Sequence, residues 1–102
     1  MKFARQLICA TAVLLLALPA TALAWSGENL APKAKITMEE ATAIALKTRP
    51  GTVTDRELER ERGGSGLRYS FDIKSDKIVY EVGVDAKTGK VLENSTEGSH
   101  PD

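Results

Sequence analysis

Few residues in this chain have the types and spacing that chemistry needs. Glu57, Glu59 and Glu61 recur at every second position, interleaved with Arg56, Arg60 and Arg62. Carboxylates so spaced could hold a cation or move a proton. Along an extended segment, however, the same alternation is the charge that protects a sheet edge from pairing with another chain, and that reading is preferred. Gly63-Gly64-Ser65-Gly66 has the glycine content of a phosphate cradle, but it lacks both the Lys-Ser/Thr pair and the following helix that such a loop uses. The only histidine, His100, is among the last three residues, where nothing orients it as a base or a ligand. Asn94-Ser95-Thr96 matches a glycosylation acceptor, a three-residue pattern that arises often by chance. No catalytic residue, no metal ligand set and no cofactor site is expected. With 14 Lys+Arg against 14 Asp+Glu and no basic, aromatic-studded stretch, a nucleic-acid partner is not expected either.

The elements that carry these residues follow from the apolar pattern. Lys2 and Arg5 precede an apolar run from Leu7 to Leu18, Pro19 breaks it, and Ala22-Leu23-Ala24 supplies a small-x-small cleavage site. Residues 1–24 therefore read as a signal peptide, since the apolar run falls short of the ~20 residues that span a bilayer. Cleavage would remove Cys9, leaving a mature protein without thiols. It would also remove Lys2 and Arg5, taking the balance from 14 against 14 to a net charge of −2. The product would be periplasmic or secreted, with no membrane anchor. Residues 25–35, with Gly, Pro and no apolar period, read as a flexible linker.

Order is expected over 36–94. Thr37-Met38-Glu39-Glu40 has the form of a capping box, and Met38, Ala41, Ile44, Ala45 and Leu46 share one side of the helix it would start. Pro50-Gly51 ends that helix. The period then changes to two. Leu67, Tyr69, Phe71 and Ile73 alternate with polar residues, as do Ile78, Tyr80, Val82 and Val84. A turn at Ser75-Asp76 would set Ile73 against Ile78 and Phe71 against Tyr80. A weaker strand over Val53–Arg62, joined through the glycine loop, would set Leu58 against Phe71 and Glu61 against Arg68. Asp85-Ala86-Lys87-Thr88-Gly89 reads as a hairpin loop before a short strand at Lys90–Glu93, and residues 95–102 as a frayed tail. The expected fold is α+β: one N-terminal helix packed on one face of a small antiparallel β-meander of three to four strands.

In their order, Ile36-Thr37-Met38-Glu39-Glu40-Ala41, Pro50-Gly51, Glu57-Leu58-Glu59, Tyr80-Glu81-Val82 and above all Val84-Asp85-Ala86-Lys87-Thr88-Gly89-Lys90-Val91-Leu92 resemble a PepSY domain. The resemblance covers about Ile36 to Glu93 and carries no catalytic residue. It implies a module like the propeptides of thermolysin-type metallopeptidases, which lie beside the enzyme as inhibitors or chaperones. No peptidase sequence follows in these residues, so regulation is expected to act in trans, on a peptidase or another envelope protein. With the helix face used for packing, the surface left for a partner is the other sheet face, with Arg68, Ser70, Asp72, Val79 and Glu81, and the first edge, with Glu57, Glu59 and Glu61. An envelope sensor that binds a small ligand or cation is the alternative.

Overall fold

The computed structural model describes residues 24–97. Residues 1–23 of the expected leader, and the end of the tail with His100, lie outside the described residues. Helix α1 spans Met38–Thr48. Its capping box is present in both directions: the Glu40 N–H donates to Thr37 Oγ1 at 3.0 Å, and the Thr37 N–H donates to Glu40 Oε1 at 2.8 Å. Such a cap is worth about 1 kcal/mol. Four strands follow, β1 Thr52–Arg60, β2 Leu67–Ser75, β3 Ile78–Asp85 and β4 Val91–Thr96, forming one antiparallel sheet in the order β1-β2-β3-β4.

Helix α1 packs on β2, β3 and β4. Met38, Ala41 and Ala45 are buried against Leu67, Tyr69, Phe71, Ile73, Val82 and Val84. The alanines remove side-chain bulk from the helix, which lets it lie close to the sheet. Polar contacts tie both its ends down. The Tyr69 hydroxyl donates to the Ile36 carbonyl at 2.7 Å. At the other end the Arg49 guanidinium lies 3.9 Å from the centre of the Tyr80 ring and donates to Asn94 Oδ1.

Several expectations are corrected. The turn between β2 and β3 is Asp76-Lys77, because Ser75 pairs with Ile78 and Asp76 takes φ 59. An aspartate tolerates that left-handed conformation better than most residues. The register is thus two residues from the expected one: Phe71 pairs with Val82 and Ile73 with Tyr80. A shift of two leaves every side chain on its expected face, so the core is unchanged while each pair is wrong. Ile78 then falls at the strand end, 45% exposed.

The first strand ends at Arg60, and it too is displaced by two, with Leu58 opposite Tyr69 and Glu59 opposite Arg68. A bulge between Val53 and Asp55 turns both Val53 and Leu58 toward the helix side, which a strand of strict period two cannot do with one odd and one even residue. The last strand runs on to Thr96, pairing with Tyr80, so the polar residues 95 and 96 are strand rather than tail. Residues 25–35 are not a free linker. They include a 3₁₀ helix, Glu28–Lys33, packed on β1, and Trp25, Leu30 and Ala34 lie against the core. Helix α1 covers the rest of the sheet, and this segment covers the apolar side of β1.

Candidate functional site

The face of the sheet opposite α1 is built in rows by the register. Asp55, Asp72, Glu81 and Ser95 are consecutive partners across the four strands. Beside them run Glu57, Ser70, Gly83 and Glu93, and then Glu59, Arg68 and Asp85. Alternation places all of these side chains on one face, where like charges directly opposite each other repel. Asp55, Glu57, Glu59, Arg68, Ser70, Asp72, Glu81 and Glu93 of these rows line a shallow groove of about 180 Å³ together with Glu61. Arg68 is the single cation among the described residues that line it.

Arg68 is held rather than presented. Its side chain is 12% exposed, Nη1 lies 3.3 Å from Glu93 Oε1, and Nη2 donates to the Arg62 carbonyl at 3.2 Å. To reach Glu93 on β4 the side chain crosses β3 at Gly83, where a Cβ would come within 2.9 Å of Arg68 Cδ. A glycine inside a strand is the mark of such a close approach. Arg68 therefore answers Glu93 at one end of the groove, two rows away from Asp55 and Asp72.

Two carboxyls of the groove are shifted upward. Burial raises Asp72 above the usual carboxylate range, and the negative charges of Glu97 and Asp55 push it further the same way. Glu59 is also raised, first by burial and then by Glu57, against the hydrogen bond it accepts from Ser70 Oγ at 2.7 Å. A positive charge brought into the groove would relieve both. The carboxylates of Asp72, Glu81 and Glu97 also come within 4.8 Å of one another, a possible trio of oxygen ligands. Calcium takes six to eight oxygens, so three would leave most of its shell to water.

Each residue expected to meet a partner can now be placed. Glu57, Glu59, Glu61, Arg68, Ser70, Asp72 and Glu81 are brought together around the groove. Val79 pairs with Lys74 near the far end of the sheet and does not line it. Glu57 and Glu59 are half-buried on the sheet face, not solvated along the edge. Asp55, Glu93 and Glu97 were missed. The bulge hid Asp55, the register hid that Glu93 meets Arg68, and the short last strand expected from sequence stopped before Glu97; Gly83 was the one legible sign that a side chain crosses β3.

At the end of the groove Asp85, 1% exposed, holds two loops together. Its carboxylate accepts from the backbone N–H groups of Ser65 at 2.6 Å, Lys87 at 2.8 Å and Thr88 at 3.0 Å. The glycine loop is therefore a structural clasp, not a phosphate cradle. Gly89, with φ 82, closes the β3–β4 turn as expected from sequence. Among the described residues no helix is long and apolar enough to cross a membrane.

Comparison with known proteins agrees with this architecture. The family model PepSY, described as "Peptidase propeptide and YPEB domain", matches residues 35–94, from the segment before α1 into β4. No curated protein and no solved structure matches the chain.

Proposed function

Since the chain belongs to the PepSY family, we propose that it is an exported, non-catalytic module that binds a peptidase or another envelope protein in trans and restrains it. The observation that carries this reading is the open sheet face, where Asp55, Asp72 and Glu81 are consecutive cross-strand partners beside Glu57 and Glu59, and Arg68 is the single cation among the described residues that line the groove. A partner that presents lysine or arginine there gains complementary charge and lowers the repulsion already present in the free domain. Backbone and side chains on the helix side are committed to the core, so that face offers less. Affinity capture with the mature domain, from the exported fraction of its own host, is expected to retain a protein partner whose hold weakens with added salt. A capture that is empty at low salt would contradict the proposal.

Export is part of the same proposal. Cleavage after Ala24 is expected from the Ala22-Leu23-Ala24 site. Intact-mass measurement on the exported protein should give a chain beginning at Trp25. A product that keeps Cys9 would overturn both the export route and the expectation of a thiol-free mature protein.

The sensor reading retains one observation in its favour, the approach of Asp72, Glu81 and Glu97. It expects calcium alone to raise the melting temperature by mass action. An unchanged melting temperature at millimolar calcium, with capture unaffected by a chelator, would leave protein binding as the function.

A further inference from the structure

The outer edge of β1 is partly occupied, and the occupant is the chain itself. Ser26 forms a parallel bridge to Glu57: the Leu58 N–H donates to the Ser26 carbonyl at 2.9 Å, and the Ser26 N–H donates to the Arg56 carbonyl at 3.4 Å. Ser26 Oγ also donates to Glu57 Oε1 at 3.3 Å. Gly27 has φ 88, and a Cβ there would overlap the Leu58 carbonyl oxygen, so only glycine fits as the chain turns off the edge. Before it, Trp25 stands edge-on to Tyr69, with ring centres 6.5 Å apart and planes at 69°. Trp25 and Tyr69 line an open apolar cavity of about 280 Å³ with Ala34, Ile36 and Met38.

These contacts have the form of a peptide bound by strand addition. Backbone bonds to an edge supply attachment, and side chains in flanking pockets supply selectivity. Here a single bridge with two backbone bonds supplies the attachment, an aromatic side chain packs edge-on against Tyr69 at the wall of the cavity, and a glycine passes the carbonyl. So short a strap opens at a free energy well below that of global unfolding. Opening it returns the Arg56 carbonyl and the Leu58 N–H to solvent and vacates the Trp25 position.

We infer that the β1 edge is a docking site for an extended segment of a partner protein, one carrying an aromatic residue two positions before a glycine, and that Trp25-Ser26-Gly27 holds this site closed in cis until it is displaced. This rests on the reading that the domain works by binding protein, and it adds to the acidic face a second, gated point of attachment.

The test uses the mature chain from Trp25 and a synthetic peptide, Ala-Trp-Ser-Gly-Glu-Asn-Leu, as probe. Gly27→Ala is expected to raise hydrogen exchange at the Leu58 amide at least tenfold while the amides of Ile73 and Val82 keep their protection. Titrating that variant with millimolar peptide should shift the amide resonances of Arg56 and Leu58. A second variant, Ser26→Cys with Glu57→Cys, places a disulfide across the bridge in a chain otherwise free of cysteine. When oxidised it should show no peptide-induced shifts, and reduction should restore them. If Gly27→Ala unfolds the whole domain, the disulfide pair alone decides. Unchanged exchange at Leu58 in a folded Gly27→Ala chain, or equal peptide response in the oxidised and reduced forms, would overturn the inference. Neither readout involves the natural partner, so failure here leaves capture by the acidic face standing. An empty capture would conversely leave the strap result untouched.

Discussion

Phe71→Ala is expected to destabilise the domain by about 3–5 kcal/mol, the range for removing a buried aromatic ring from a core that cannot collapse around the loss. Phe71 is 2% exposed on β2, an inner strand, with Arg56 and Val82 as its cross-strand partners. It lies in one cluster with Met38, Ala41 and Ala45 of the helix. Those helix residues are already small or pinned by the capping box, so little can move in to fill the space. A domain of this size has a total stability comparable to the loss, and the variant should be largely unfolded at 37 °C. Urea titration followed by circular dichroism measures it. A midpoint within error of the wild type would mean that Phe71 does not face the helix.

Asp85→Ala should cost about 3 kcal/mol at neutral pH, because three backbone N–H groups lose an ionised acceptor at once. Burial by itself would raise the Asp85 carboxyl. The N–H groups of Ser65, Lys87 and Thr88, with help from the Ser65 side chain, overcome that and lower it from 3.8 to about 2. A folded-state value below the unfolded one means that the stabilisation is fully present above about pH 4. It is lost as the pH falls through the folded value near 2. Glu59 and Asp72, raised in the folded state, act in the opposite sense: protonating them relieves the native domain. The wild-type acid profile therefore mixes the two, and the difference between wild type and Asp85→Ala isolates the clasp. That difference should shrink steadily between pH 4 and pH 2. A difference independent of pH would show that the carboxylate charge contributes nothing to closing the loops.

Much of the fold was legible because period and capping are local signals. The Thr37–Glu40 box, the change from period 3.6 to period two and the apolar alternation of β2 and β3 each determine a face without knowledge of the partner. Pairing is not local in that sense. Registers two residues apart bury the same side chains, so the apolar pattern could not choose between a turn at Ser75-Asp76 and one at Asp76-Lys77. The preference of Asp76 for the left-handed conformation was the sign to weigh. The bulge at Val53–Asp55 was visible only as an odd and an even apolar residue in one strand, and it decides that Asp55 joins the acidic row. Residues 25–35 have no apolar period because their order comes from a single bridge, one indole and a 3₁₀ turn. The acidic groove itself was legible only in part. Strand parity placed Arg68, Ser70, Asp72 and Glu81 on one face, but the turning of Glu57 and Glu59 onto that face, the rows that set carboxylate beside carboxylate, and the locking of Arg68 on Glu93 depend on the register.

On the proposed function the acidic sheet face, and not the helix face, meets the partner. The most direct measurement is the affinity of the captured partner for two folded variants compared with wild type at the same ionic strength. Asp72→Asn with Glu81→Gln removes two charges from the groove with little change of shape. Glu39→Gln removes one from the exposed side of α1, outside the capping pair. Circular dichroism and urea titration should find both folded. The groove variant should bind at least tenfold more weakly and lose much of the salt dependence, while Glu39→Gln should bind as wild type does. Full affinity in the groove variant, together with a loss in Glu39→Gln, would place the partner on the helix and contradict the account.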